Sequence, residues 1–479
     1  MVADALLSRA TKPAPARAKR PGRSGYPVTL LEESRGSEDI LSAPQDSYLY
    51  THFMEIVDWL LQLGLPQILR ESGKGMKVLL SAYACEPNRG SEPEVGWQRA
   101  LHMLPHADEV WVLTRSNNKV VIEADPLSHS PGLHFIYYDL PGWALWLKKH
   151  TWFSLFYFML WQWGAYRLAA RHHRDKPFDA VYHVTFVTVK FGTFMGRLGV
   201  PFILGPIAGG ETAPLRLRRS MPFTGKVREL LRDFGILLQR YSPLTRSAYS
   251  AAKLIYVTTA DSMRLVPVKY RFKTSVHLAI ATHGHAVQDY ERQPPEFPRF
   301  VFAGQLIHLK GVHLAIRALA EARKVLPTVT LTLVGAGPAE QWLRRVANRL
   351  SLAEAVEFAG PLPRHKFLDL LSGYTALVFP SLHDTGGMVV LEALSQGLPV
   401  ISLDLGGPGV IVNSSCGIVV STVSAGETEV VSAIASAMIT LGKMAASEWK
   451  SLSAGAIARA NELSWDKLTE CTVDRVGPG

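Results

Sequence analysis

Cysteine is scarce in this chain. Cys85, Cys416 and Cys471 are the only three in 479 residues. Their number is odd, their spacing is wide, and no CxxC pair occurs, which excludes a disulfide scaffold or a zinc ribbon and fits a reduced, cytoplasmic setting. The chain also has no DxD carboxylate pair, so nothing in it demands a divalent metal. No apolar run reaches the length of a bilayer span. The first residues lack the basic-then-apolar layout of a secretion signal. Charged residues make up 19%, fewer than an average soluble protein carries, and 47% are apolar. A chain of this length outgrows one core and is expected to form two or three domains.

What charge there is leans positive. The formal net charge is +10, compatible with an ordinary basic enzyme, an anionic membrane surface or phosphorylated substrates. Much of the excess lies in Arg9, Lys12, Arg17, Lys19, Arg20 and Arg23, opposed locally by Asp4 alone. That stretch has no interleaved aromatics, so nucleic acid is not an expected partner.

Residues 1–45, rich in Ala, Pro, Arg and Ser, read as disordered. Residues 46–75 carry apolar side chains at helical spacing and read as a helical extension. A first α/β series follows over 76–285, with strands at MKVLLSAYACEP, VWVLTR (110–115), AVYHVTF (180–186), PFILGP (201–206) and KLIYVTT (253–259). Residues 286–299, polar and broken by three prolines, read as a linker. A second series over 300–455 has strands at 300–306, 330–337, 356–360, 376–381 and 399–404, alternating with helices, and a terminal helical segment covers 456–479. Apolar strands alternating with helices imply parallel sheets buried on both faces. Ligands then belong at the carboxyl ends of the strands.

The segment from Thr151 to Tyr166 stands apart. It has no charge and half its residues are aromatic, among them Trp152, Phe153, Tyr157, Phe158, Trp161 and Trp163. Cations flank it at Lys148, Lys149, Arg167, Arg171 and Arg174. It reads either as an interfacial helix, placing an anionic membrane against residues 148–174, or as a core helix of the first domain.

Chemistry is sought in the loops after the strands. In HDTGGMVVLEALSQGLPVISLDLGGP (383–408), Asp384 precedes a helix start and Glu392 lies about two turns inside it. The backbone amides of Gly386, Gly387, Met388 and Val389 fall at that start, a natural anion site. Lys310, in GQLIHLKG, follows another strand and can neutralise a leaving diphosphate. Gly335 and Gly337 form a GxG after the strand at 330, weak evidence alone. Gly90 and Gly96 lie in the loop after the first strand and fit a backbone that passes close to a ligand. His183 and Glu211 end two further strands of the first series; His183 could orient an acceptor or a transferred sugar, although a satisfied structural histidine is the safer reading, and Glu211 is a second candidate for the acceptor side, with a helix-start carboxylate as its alternative.

These features together resemble glycosyltransferase family 4, retaining enzymes of the GT-B fold. The resemblance spans roughly residues 76–479 and is strongest over 300–410. It implies two Rossmann-like domains whose parallel sheets face a central cleft, with a C-terminal helix that crosses back to the first domain. It also implies that Asp384 contacts the donor sugar, Glu392 the ribose, and the Gly386–Met388 backbone with Lys310 the diphosphate, while His183 matches the histidine often found in the N-domain active site. The loop SAYACEPNRGSEPEVGW is similar to the opening of a bacterial polysaccharide-synthesis subgroup, and SWDKL (464–468) to the family's ending. Two positions depart from the pattern: Asp384 stands where Glu is usual, and Gln305 where Arg is usual, five residues before the lysine. Loss of one charge-assisted phosphate contact costs about 1.5–3 kcal/mol.

The expected function is transfer of a hexose from a nucleoside diphosphate sugar, with retention and without a metal cofactor, to a glycan or polyprenyl-linked acceptor in surface or exopolysaccharide synthesis. Front-face attack would be assisted by Lys310 and the glycine-rich helix start. The expected site is the cytoplasm or the inner face of its membrane. A weak sugar-nucleotide binder and a sugar-nucleotide epimerase on the same fold are the alternatives.

Overall fold

The computed structural model describes residues 75–89, 91–144, 154–187, 192–239, 242–283 and 292–473. The expected disordered segment 1–45, the helical extension as far as residue 74, Gly90, Lys148, Lys149, Trp152, Phe153 and the first half of the linker lie outside them.

Thirteen parallel strands among the described residues make two sheets. The first holds β1 (Lys77–Ser81), β2 (Glu109–Arg115), β3 (Leu133–Tyr138), β4 (Ala180–His183), β5 (Phe202–Ile207), β6 (Leu254–Val257) and β7 (Thr274–Val276), in the order β3-β2-β1-β4-β5-β6-β7. The second holds β8 (Arg299–Ala303), β9 (Thr330–Val334), β10 (Val356–Gly360), β11 (Ala376–Phe379), β12 (Val400–Leu403) and β13 (Gly417–Val420), in the order β10-β9-β8-β11-β12-β13. In each, the first strand lies between the second and the fourth, so strand order reverses beside it. That reversal opens a crevice at the carboxyl ends of β1 and β4 in one sheet, and of β8 and β11 in the other. The two expected Rossmann-like halves are therefore present.

Several expected strands end early. The strand at 180 stops at His183, and Phe186 adopts a left-handed conformation at φ 57°. The strand at 330 stops at Val334, and Gly335 turns away at φ 134°. These residues continue as the cleft loops.

The helices that position the site are α1 (Ser91–Met103), α2 (Ser154–Asp175), α3 (Phe223–Gln239), α4 (Val312–Ala322), α5 (Met388–Ser395), α6 (Glu427–Lys443), α7 (Ala446–Glu462) and α8 (Trp465–Val473). Helix α1 starts with Glu92, Pro93 and Glu94, residues suited to a first turn. Its Gly96 explains itself: a Cβ there would stand 2.1 Å from the Ala84 carbonyl oxygen. The glycine serves helix-to-loop packing, not the ligand approach expected from sequence. Helices α4 and α6 pack on each other beneath the second sheet. Helix α7 covers α5.

The chain then leaves the second domain at Leu463, where Thr282 N–H donates to its carbonyl (3.0 Å) and Trp465 N–H donates back to Thr282 (2.9 Å). Helix α8 lies against α1 of the first domain, so the crossing helix begins at Trp465 rather than at 456. His102 Nδ1 meets Asp466 at 2.6 Å, and the Arg99 guanidinium lies 5.4 Å from the Trp465 ring centre.

The aromatic stretch resolves largely as core. Tyr157, Phe158 and Trp161 of α2 are buried, and the Tyr83 ring meets Phe158 and Trp161 edge-on at 5.2 and 4.8 Å. The Trp161 indole N–H donates to the Tyr138 carbonyl (3.0 Å), and the Tyr157 hydroxyl to Asp139 (2.7 Å). Phe156 and Trp163 alone among the described aromatics of this stretch are exposed.

Candidate functional site

The crevice of the second sheet is built from two loops. After β8 the chain runs through Gln305 into a single 3-10 turn, His308–Lys310, and then Gly311 at φ 66°. A Cβ on Gly311 would stand 1.9 Å from the Pro380 carbonyl oxygen, so glycine is what lets this loop lie against the one after β11. Leu382 N–H closes the contact on the Leu309 carbonyl (2.8 Å). The second loop reaches α5 through Gly387, itself left-handed at φ 69°. Behind it runs LGGPG: a Cβ on Gly406 would stand 2.1 Å from the Asp384 carbonyl, which accepts from Gly407 N–H at 2.8 Å. The conspicuous glycines around Asp384 are there because three backbone segments touch.

This packing brings Lys310 and Asp384 together. Lys310 Nζ donates to Asp384 Oδ2 at 2.5 Å, and Asp384 Oδ1 accepts from the amides of Gly386 (3.1 Å) and Gly387 (2.9 Å). A carboxylate thus sits in the positive nest formed by a cation and a helix start, the place where an anionic ligand would be received. Two of the four amides expected to hold a diphosphate are taken by Asp384. Met388 and Val389 supply the remaining donors of the first turn.

Glu392 lies one turn into α5, mostly buried, and accepts from the Nε of the exposed Arg364 at 2.5 Å. It makes no hydrogen bond or ion pair with Lys310 or Asp384. Gln305 is exposed at the mouth of the β8 loop. Gly335 and Gly337 have a structural duty: their Cβ atoms would meet the carbonyl oxygens of Gly304 and Leu306 at 2.0 and 2.4 Å.

The first sheet's crevice holds His183. It is buried, with Nδ1 2.9 Å from Ser81 Oγ at the end of the adjacent strand β1. Burial pushes its pKa down to about 3, so the ring is neutral. Glu211, after β5, is buried as well. Thr258, Thr259 and Ser262 donate to its Oε1 (3.1, 2.7 and 2.9 Å), and Gly209 N–H to Oε2 (3.0 Å). Burial alone would raise its pKa, but the hydrogen bonds from Thr259 and Ser262 outweigh it and hold the carboxyl below its ordinary value. Its remaining capacity goes to Thr385 Oγ1 at 3.3 Å. Glu211 therefore ties the first domain to the donor loop and has little left for an acceptor.

Sequence reasoning missed three participants. Arg232, from α3 of the first domain, reaches His383 with Nη1 at 3.1 Å from Nδ1. Burial and then the Arg232 charge hold the His383 pKa below its usual value, so Nδ1 accepts from the arginine. Thr385 and Arg364 are the others. Thr385 lies within the 383–387 segment, but its partner does not: Arg232 and Glu211 lie over 150 residues from their partners in 383–385, and no local pattern announces such contacts.

Comparison with known proteins bears on the fold that carries this site. Residues 288–438 match the family described as Glycosyl transferases group 1. The chain is 36% identical over 129 residues to a glycogen synthase of Mycobacterium tuberculosis, covering 26% of this chain and 31% of that protein, so it matches about a third of the relative's length. A lipopolysaccharide outer core galactosyltransferase in its apo form superposes with a TM-score of 0.54 at 12% identity, over 84% of this chain and 99% of that one. An Anabaena protein, HepE, in complex with UDP, gives 0.52 at 16% identity over 83% and 98%. These likenesses and the two sheets make the fold GT-B.

Proposed function

We propose that this chain is a retaining glycosyltransferase of family 4 type that moves a hexosyl group from a nucleoside diphosphate sugar to a glycan or polyprenyl-linked acceptor, in bacterial surface or exopolysaccharide synthesis at the cytoplasmic face of the membrane. The observation that carries this is the nest of Lys310 Nζ and the α5 start at the crevice of the second sheet, filled by Asp384. UDP in the Anabaena neighbour supports a nucleotide donor.

The chemistry follows from the charges. A leaving diphosphate brings negative charge that the nest is built to receive, with the Lys310 ammonium and the amides of Met388 and Val389 as donors. Asp384 then yields Lys310 and turns its carboxylate to the sugar hydroxyls. Glu392, released from Arg364, accepts from the ribose hydroxyls, while Arg364 is free to meet a phosphate. The Glu211 oxygens are occupied, so this carboxylate is not aimed as a nucleophile, which fits front-face attack by the acceptor with the leaving diphosphate taking its proton. Neutral His183 can hydrogen-bond a sugar hydroxyl without adding charge.

One observation favours a second reading, a sugar-nucleotide binder with weak turnover: Asp384 closes the nest, and Gln305 brings no charge to it. A panel of radiolabelled nucleotide sugars separates the two. Transfer or hydrolysis of any donor that also raises the melting temperature supports the enzyme. A donor that binds and is never turned over, across a range of glycan and lipid-linked acceptors, refutes it.

A further inference from the structure

Helix α3 turns its acids inward. Glu229 is 2% exposed and pairs with Arg232 at 2.8 Å, while Asp233 pairs with Arg218 at 2.8 Å. Five of its apolar residues face outward. Phe223 is 80% exposed, Leu230 and Leu231 65% each, and Phe234 58%, with Val227 between them. The spacing 223, 227, 230, 231, 234 is one continuous stripe along a helix. A water-facing helix has the reverse arrangement, and contiguous exposed apolar stripes mark interaction surfaces.

Charge says what the surface meets. Glu229 and Asp233 are the only acids between Leu215 and Gln239, and both are neutralised inward. The exposed Arg219 and Lys226 beside the stripe make no ion pair with any described residue. Among the described side chains of this element, the unpaired outward charge is therefore positive. An apolar stripe with cations at its border and no outward acid fits the boundary between acyl chains and anionic headgroups.

We propose that the outer face of α3, from Phe223 to Phe234, docks this protein on an anionic lipid bilayer. The lipid-facing element is then α3, not the aromatic stretch of α2, whose Tyr157, Phe158 and Trp161 are committed to the core. Arg232 and Ser220 connect this face to the cleft: Arg232 meets His383, and Ser220 Oγ lies 2.9 Å from His313 Nε2. Docking sets the donor loop close to the bilayer surface, where a lipid-linked acceptor would be presented. The docking claim does not depend on the transferase assignment.

The test is flotation of the full chain with vesicles of phosphatidylcholine alone and of equal parts phosphatidylcholine and phosphatidylglycerol. The protein is expected to float with the anionic vesicles and to lose most of that binding at high salt. The triple variant Phe223→Ser, Leu230→Ser, Phe234→Ser should lose at least about tenfold in bound fraction, with an unchanged circular dichroism spectrum and unfolding midpoint. Arg219→Ser with Lys226→Ser should lose the salt-sensitive part. Val120→Ser, a change at an equally exposed residue elsewhere, should float as the parent does. Failure of the parent to float with anionic vesicles overturns the proposal. So does a folded triple variant that floats like the parent, or a stripe whose loss abolishes self-association while lipid binding is absent.

Discussion

Asp384 and Lys310 neutralise each other in the nest, and each holds the other away from a ligand. Lys310→Ala removes the one side-chain cation that reaches the nest among the described residues, and turnover of the donor should fall about 10²–10³-fold, with the unfolding midpoint little changed. Glu392→Ala should raise the donor KM more than it lowers kcat, because in the proposed complex its contact is with the nucleotide and not with the reacting atoms. Steady-state kinetics on both purified variants checks this, and near-normal transfer in both would remove the site assignment. Since Lys310 and helix amides carry the diphosphate charge in this proposal, EDTA should leave turnover intact. A loss restored by magnesium would assign the charge to a metal instead. The buried histidines make a separate prediction about stability. Burial lowers the pKa of both His183 and His313 to about 3, while an unfolded histidine titrates near 6.5. Between those values the unfolded chain binds protons that the native state refuses, so stability falls as pH drops from about 6.5 towards about 3. At pH 5 the loss is up to about 2 kcal/mol for each. Urea midpoints at pH 7 and pH 5 should show it, and His313→Gln should lessen the difference.

At the scale of elements, the cleft depends on glycines that let backbones touch. Gly335 adopts φ 134°, with the Gly304 carbonyl where a Cβ would be. Gly335→Ala should cost about 1–3 kcal/mol from the backbone conformation alone, with the clash added, and its unfolding midpoint in urea measures this. A midpoint equal to the parent's would mean that the loop relaxes freely. The same scale shows what a sequence reveals about strands. The central strands were legible because both faces are covered, leaving continuous apolar runs such as FVFA and ALVF. Strands β3, β7 and β13, unassigned from sequence, are all edges of their sheets. An edge strand is covered less completely: β3 buries only Leu133 and Ile136 of its six residues, and β7 none of its three. β3 and β7 therefore lack the continuous buried run of a central strand. The aromatic stretch of α2 was ambiguous for a related reason, since rings that line a core and rings that line a membrane interface have the same composition.

For the whole molecule, the two domains are joined by few but specific contacts. Helix α8 returns to α1 through Trp465, which is fully buried, and Glu211 reaches the donor loop through Thr385. Trp465→Ala should cost about 3–5 kcal/mol and free the C-terminal turn for proteolysis. If limited proteolysis and urea unfolding match the parent, α8 does not clamp the domains. The sequence by itself determined that this is a two-part parallel α/β protein, and it singled out Lys310, Asp384, Gly386, Gly387 and Glu392 as candidates. Those facts are local, carried by apolar periodicity, by helix stops and by short spacings within a strand–loop–helix unit. Tertiary structure alone decided that Asp384 fills the nest, that Arg364 holds Glu392, that Glu211 is a strut between domains, and that Arg232 reaches His383. It also decided which aromatic and apolar faces meet the core and which meet the outside. Each of these joins residues far apart in the chain. Such contacts depend on where the fold places two surfaces, which periodicity and spacing along one segment cannot encode.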